Sequence, residues 1–331
     1  MAAVTIRDVA KHAGVGVATV SRVINESPSV SPPTRQKVLS AIDKLEYVPH
    51  TTARRLSLGK TLTIGVVVPF FTNSSVVERL RGVVSVLKDS EYDMILFDVA
   101  SLATRDSVMM DVTRRERVDG LLIISLVPTD EEARRLAESE VPAVLVDATH
   151  PDLHYTAVDN VHGGYLATRH LIELGHLNIA YLSDYLDNPF NSPALDRQAG
   201  YQKALREADI PIQPSYQIEG EYGREQARDM TRQLLAQKIP PTAIFAYCDT
   251  QALGVIEAAQ DQGLHVPEHL SIVGYDDIEA AELMQLTTVR QHLFASGARG
   301  AGHGRKRGGA GAAGLGAPGH GPAGRLRALL P

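Results

Sequence analysis

A chain of 331 residues is long enough for two or more domains with buried cores, and 44% hydrophobic against 22% charged residues is the balance of a soluble globular protein, not a fibrous or disordered one. No apolar run approaches the length of a membrane span, and Met1-Ala2-Ala3-Val4-Thr5 lacks the charged and apolar regions of a signal peptide, so a cytoplasmic protein without membrane contact is expected. Cys248 is the single cysteine, which excludes an intramolecular disulfide and a cysteine metal cluster; neither a metal nor a cofactor is expected.

The formal charge of −6 is unevenly spread. Residues 1–60 carry nine Lys/Arg against four Asp/Glu, residues 61–301 carry 19 against 35, and residues 302–331 carry five basic and no acidic side chains. A basic head on an acidic body points to a head that meets a polyanion; a basic surface without a partner gives the same count.

Residues 5–45 read as three short helices. Thr5-Ile6-Arg7-Asp8 has the pattern of a capping box, after which Ile6, Val9, Ala10 and Ala13 share one face. Gly14-Val15-Gly16 interrupts that helix, because glycine accepts the positive φ of a tight turn. A second helix from Val17 to about Asn25 buries Val20 and Val23 and turns Val17, Ala18, Ser21 and Arg22 outward. Ser31 caps a third, with Pro32 at its first position and Val38, Ile42 and Leu45 as its buried stripe. Two helices joined by a three-residue turn, the second showing small residues and an arginine, have helix-turn-helix design, although any αα-hairpin can carry such a turn. Small side chains let a helix approach the major-groove floor, where Arg22 reaches a base edge, most often guanine, or a phosphate. Residues 50–60 are polar and basic, with Ala53 and Leu56 at helical spacing; on their own they read as a flexible linker.

From Leu62 onward short β-rich runs alternate with helical patterns. The runs are Ile64–Val68, Met94–Phe97, Leu121–Ile124, Ala143–Val146, Ile179–Leu182, Ala243–Ala246 and Ser271–Gly274, with helices at Val76–Ser90, His162–Leu174, Leu195–Ala208 and Asp249–Gln262. Such alternation means an α/β body of parallel sheets covered by helices, and ligands in such sheets bind beyond the carboxyl ends of the strands. Those positions hold Phe70, Phe71, Thr72, Asn73 and Ser74, then Ser125, Asp147 and Asp276. Aromatic faces, carboxylates and an arginine suit a polyhydroxylated ligand. Any one of these residues alone fits a turn or cap equally well; their convergence favours a pocket. No His-Glu-x-x-His, Gly-x-Ser-x-Gly or glycine-rich phosphate loop is present, so an enzyme is not expected. A free transport binding protein would need an export signal and no basic head.

Thr5-Ile6-Arg7-Asp8-Val9-Ala10, Ala13-Gly14-Val15, Ala18-Thr19-Val20-Ser21-Arg22-Val23-Ile24-Asn25 and Tyr47-Val48-Pro49 together resemble the head of the LacI/GalR family of bacterial regulators. The resemblance continues in Val118-Asp119-Gly120-Leu121, Leu174-Gly175-His176, Arg197-Gln198-Ala199-Gly200-Tyr201, Val273-Gly274-Tyr275-Asp276-Asp277 and Leu286-Thr287-Thr288-Val289-Arg290-Gln291. It implies an all-α helix-turn-helix head (1–49), a hinge helix (50–60) and a two-lobed effector domain like a type I periplasmic binding protein (61–301). It further implies that Val17, Ala18 and Arg22 read bases, that Thr5, Thr19, Ser21 and Asn25 hold phosphates, and that Leu56, beside Ala53, wedges into the minor groove. In the cleft it implies Arg197 and Asp276 as the strongest effector contacts, then Asp147 and Tyr222; with the strand-end residues Phe71, Asn73 and Ser125 they make up the expected effector site. The implied partners are operator double-stranded DNA, a sugar-like effector and further copies of the chain, as a homodimer or tetramer. Three positions depart from the family pattern: Gly16 for a serine or alanine, His50 for an asparagine, and Cys248 for an asparagine.

Past about Ala301 the pattern stops. Family members continue with a leucine-rich helix and a returning strand, whereas residues 302–331 contain ten glycines, six alanines and, as large apolar side chains, only Leu315, Leu326, Leu329 and Leu330. That composition buries too little surface to offset ordering entropy, so a disordered tail is expected. Two origins are open: an extra nucleic-acid-binding arm, or a shifted reading frame in GC-rich DNA.

Overall fold

The computed structural model describes residues 4–48, 59–99, 101–114, 117–187, 192–309, 319–320 and 325–327, and it divides into two units, Met1–Leu62 and Thr63–Pro331. In the first, α1 (Ile6–Ala13), α2 (Val17–Ile24) and α3 (Pro32–Lys44) enclose Val9, Ala10, Val20, Val23, Val38 and Ala41. The Asp8 carboxylate takes the Thr5 amide at 2.8 Å and the Thr5 hydroxyl at 2.7 Å, and these bonds hold Asp8 below the usual carboxylate range. Gly14 ends α1 at φ 65°, a conformation that costs a residue with a Cβ about 1–2 kcal/mol. Ser31 and Pro32 open α3 as the spacing predicts, but the Ser31 hydroxyl bonds the Thr34 hydroxyl at 2.9 Å instead of capping an amide.

The second unit holds two sheets. The first contains β1 (Thr63–Val68), β2 (Asp93–Asp98), β3 (Gly120–Ile124), β4 (Ala143–Val146) and β5 (His154–Ala157), in the order 5-4-3-1-2, all parallel. The second contains β6 (Ile179–Asp184), β7 (Gln217–Gly220), β8 (Ala243–Ala246), β9 (Ser271–Asp276) and β10 (Thr287–Arg290), in the order 10-9-8-6-7, also parallel. All seven apolar runs are strands. Six of them (β1, β3, β4, β6, β8 and β9) are buried along their whole length, as expected of strands covered on both faces. The half-buried β5 and β7 lack that signature, and they were not expected.

Helices α4 (Ser74–Leu87), α5 (Leu102–Asp111) and α6 (Asp130–Glu138) belong to the first lobe. Helices α7 (Asn160–Glu173), α8 (Ser192–Glu207), α9 (Arg224–Leu235) and α10 (Asp249–Asp261), with the short α11 (Glu279–Leu283), belong to the second. The chain crosses between lobes after β5 and returns after β10, where α12 (Leu293–Gly309) packs on β3, β4 and α4 of the first lobe. At that crossing a Cβ on Gly82 would lie 2.0 Å from the Phe294 carbonyl oxygen, and one on Gly297 would lie 1.9 Å from that of Arg79. The two backbones touch directly.

Part of the tail falls within the described residues. Helix α12 runs past residue 301 to Gly309, β11 (Gly319–His320) pairs with β5, and β12 (Arg325–Arg327) pairs antiparallel with β10. Leu293 and Ala301 anchor the helix in the lobe, and sheet-edge pairing uses backbone groups. Among the described residues no helix is long and apolar enough to cross a membrane, and no group of three or more His, Cys, Asp or Glu could hold a metal.

Candidate functional site

The carboxyl ends of both sheets border one cavity of about 450 Å³. The first lobe supplies Phe70, Asn73, Arg79, Ser125 and Asp147; the second supplies Asp184, Arg197, Tyr222, Tyr247, Cys248 and Asp276; Gln291 comes from the return crossing. Four of these non-glycine residues have φ in the left-handed region: Phe70 (51°), Ser125 (52°), Asp147 (58°) and Asp276 (124°). Each such conformation costs on the order of 1–3 kcal/mol and persists only where the surroundings enforce it.

Two charge pairs, one per lobe, organise the polar lining. In the first lobe Arg79 Nη2 lies 2.8 Å from Asp147 Oδ2, which also takes the Ser125 hydroxyl at 2.9 Å. The other oxygen, Asp147 Oδ1, is buried with no hydrogen-bond partner among the described residues. In the second lobe Arg197 donates to Asn160 Oδ1 at 3.0 Å and to the Tyr247 carbonyl at 2.7 Å, with Asp276 Oδ1 at 3.9 Å. Its guanidinium also lies over the Tyr275 ring at 3.6 Å and the Tyr247 ring at 4.5 Å. Gln291 joins the pairs: its Oε1 accepts from Arg79 at 2.9 Å and its Nε2 donates to Asp276.

Burial pushes the Asp184 carboxyl up to about 7, with Arg197 pulling it partly back; Gln251 Nε2 donates to it at 3.0 Å. Burial likewise raises Asp249 and Asp276, and the Asp276 charge raises Asp249 further. Burial, with the Asp276 and Asp184 charges, keeps Cys248 a neutral thiol. A carboxyl whose folded pKa is raised binds its proton more tightly in the folded than in the unfolded state. Its stabilising contribution is therefore complete below the unfolded value near 4 and is lost as pH rises through the folded value. Asp184→Asn is expected to flatten the fall in stability between about pH 4 and pH 7 and to make the protein more stable than wild type at pH 8. Urea midpoints at pH 5 and pH 8 check this; an unchanged pH slope would place the titration elsewhere.

Of the expected effector residues, Asn73, Ser125, Asp147, Arg197, Tyr222 and Asp276 all line the cavity. Phe71 does not. It is 45% exposed, its amide donates to Asp98 Oδ1 at 3.0 Å, and its neighbour Phe70, turned by the left-handed φ, takes the lining position. Sequence reasoning missed Arg79, Asp184 and Tyr247. Arg79 stands three residues after Val76 and four before Val83, a charge inside the apolar stripe of α4, and that was its signal. Asp184 and Tyr247 end or follow strands β6 and β8, where the strand-end rule extends to them.

In the head, Val17, Ala18 and Arg22 are exposed on α2, Thr19 and Ser21 are half-buried on it, Asn25 follows its last turn, and Thr5 is exposed at the start of α1. Arg35 Nη2 braces the turn after α2 through the Ser27 carbonyl at 2.6 Å. Ala53 and Leu56, and with them most of the hinge, lie outside the described residues.

Residues 5–50 match the family described as bacterial regulatory proteins, lacI family, and residues 168–301 match the periplasmic binding protein-like domain. Catabolite control protein A of Priestia megaterium is 37% identical over 300 residues, covering 89% of this chain and 90% of the relative. Among solved structures, the lac repressor dimer bound to operator and the anti-inducer ONPF is similar with TM-score 0.81 and 29% identity over 93% of both chains. The transcriptional regulator CelR–cellobiose complex is similar with TM-score 0.67 and 31% identity, over 92% of this chain and 93% of that one. Identity at this level along nine-tenths of the chain reaches beyond a shared architecture, and the chain belongs to the lacI family of bacterial regulatory proteins, DNA-binding regulators of transcription.

Proposed function

We propose that this regulator is a repressor whose affinity for operator DNA is set by a small polyhydroxylated effector, a sugar or sugar derivative, in the cavity between the lobes. The observation that carries this reading is Asp147 Oδ1, a buried acceptor that has no hydrogen-bond partner among the described residues and belongs to a residue lining the cavity. Leaving such a group unsatisfied costs about 1–3 kcal/mol, which a donating ligand hydroxyl recovers. A hydroxyl also accepts, so alternating guanidinium and carboxylate groups suit a ring carrying several of them. Asn73, Ser125, Arg197, Tyr222 and Asp276 are the further contacts. The CelR–cellobiose complex supports the ligand class, and the operator-bound lac repressor dimer supports the DNA partner and a homodimer.

On the DNA side Val17, Ala18 and Arg22 read base edges, Thr5, Thr19, Ser21 and Asn25 fix the backbone, and Ala53 and Leu56 form the minor-groove hinge. Effector shifts the lobes and, through the paired subunits, the hinge; the two sites then share one coupling free energy. A thermal-shift panel of sugars tests the reading, because ligand at 100 times its Kd stabilises by about 2.7 kcal/mol. A panel in which no sugar moves either the melting temperature or operator affinity would remove it. Arg22→Ala is expected to relax discrimination at one base pair by about 1–3 kcal/mol in binding to a library of single-base operator variants. Equal weakening across that library would make Arg22 a phosphate contact.

A further inference from the structure

One wall of the inter-lobe cavity is an ion pair with a second cavity behind it. Arg79, Asp147 and Gln291 line the 450 Å³ front cavity, and the same three residues line a rear cavity of about 220 Å³. Thr156, His292, Ser296 and Arg299 supply its other polar side chains, and His292 and Arg299 are exposed, so it opens to solvent at the crossings between the lobes. Small-molecule sites measure about 300–1,000 Å³. By that measure the front cavity is a site in itself and the rear one is an annex.

Stability alone does not account for the wall. Arg79 is 1% exposed and occupies an aliphatic position of the α4 stripe. A buried ion pair of this kind can often be replaced by apolar side chains of similar volume at no loss. Among the described residues Arg79 Nε is moreover buried with no hydrogen-bond partner, so this guanidinium is not placed to make every bond open to it. It spans instead from the Ser75 carbonyl at 3.3 Å to Gln291 at 2.9 Å and Asp147 at 2.8 Å, across the boundary between the cavities. Gly297 supports this placement, since its missing side chain lets α12 press on the backbone of Arg79 itself.

We propose that Arg79 is a specificity-determining residue that limits effector length, closing the front cavity at Asp147 and shutting a longer ligand out of the rear one. The proposal rests on the effector reading above. Hydroxyl, imidazole and guanidinium groups give the rear cavity polar partners for the end of a longer sugar, so what separates it from the front is the Arg79 guanidinium. An effector that fits the front cavity binds; one extended by a further ring past Asp147 meets Arg79.

The test measures Kd by titration calorimetry of the full chain against two ladders, glucose, cellobiose and cellotriose, and glucose, maltose and maltotriose. Wild type is expected to bind one member and to bind the next longer one at least tenfold more weakly. In Arg79→Ala the ratio of those two Kd values is expected to fall at least tenfold. Because that variant leaves Asp147 buried without its cation, Arg79→Ala/Asp147→Asn, which leaves no unpaired charge, takes the same measurement and is expected to show the same fall in ratio. Reading a ratio separates length selection from a general loss of affinity. A wild type that binds the longer member equally well, or variants that keep the wild-type ratio, would overturn the gate while leaving the sugar reading intact. If no member of either ladder binds wild type or variants, the gate as stated for these sugars is overturned, while the sugar reading stands or falls on the thermal-shift panel.

Discussion

Arg197→Ala is expected to lose about 3–5 kcal/mol of stability and to stop responding to effector. The guanidinium is 2% exposed, and its removal strands Asp276 in a low-dielectric site already crowded with raised carboxyls. It also abandons the Tyr247 carbonyl and Asn160 together and vacates the space over the Tyr275 ring at 3.6 Å, where a desolvated cation contributes up to about 2 kcal/mol. Arg197→Lys separates fold from function. It keeps the charge near Asp276, but an ammonium on a flexible stem does not reproduce the planar fork that spans Asn160 and Tyr247. That variant should fold, bind operator and need at least tenfold more effector. Denaturant unfolding and effector titrations of both variants give the answer; a wild-type unfolding midpoint for Arg197→Ala would show that this guanidinium does not hold the second lobe together.

Gly82→Ala and Gly297→Ala are each expected to destabilise by about 1–3 kcal/mol, the cost of overpacking. The sign is informative, since glycine to alanine inside a helix is otherwise favourable by about 1 kcal/mol. Here each new methyl would lie 2.0 Å or 1.9 Å from a carbonyl oxygen of the opposing helix, and neither backbone has anywhere soft to move. Because both methyls force the same pair of helices apart, the double variant should cost less than the two single costs together. Urea unfolding of the three proteins measures this; stabilisation by either alanine would mean that α4 and α12 are not in backbone contact.

How legible this was in the sequence depended on what each residue had to do. Strands buried on both faces announce themselves as unbroken apolar runs, and every such run was a strand. The half-buried β5 and β7 mix polar and apolar residues and looked like connections. Asp147 and Asp276 could be found because a carboxylate just beyond a parallel strand has a stated place in the architecture. Arg79 could not be found that way, because its partners stand 68 and 212 positions away in the chain and only the assembled lobe brings them within hydrogen-bonding reach. Phe70 and Phe71 show a finer limit: which of two adjacent rings faces the cavity is decided by one backbone dihedral that composition does not encode.

The main body of the second lobe is a continuous stretch of chain from α7 to β10, to which the tail adds the edge strand β12, whereas the first lobe is interrupted: strands β1 to β5 precede the second lobe and α12 follows it. During synthesis, at about 5–20 residues per second, the first lobe's strands emerge well before the helix that covers Val66, Leu122, Ile124, Val144 and Val146. Helix α4 shields part of that face through Val76, Val83 and Leu87, and the rest is covered once the second lobe has folded and brought its two ends together, which shortens the loop that α12 must close. Completion of the first lobe therefore waits on a segment made after the whole of the second lobe's main body, the glycine-rich helix α12.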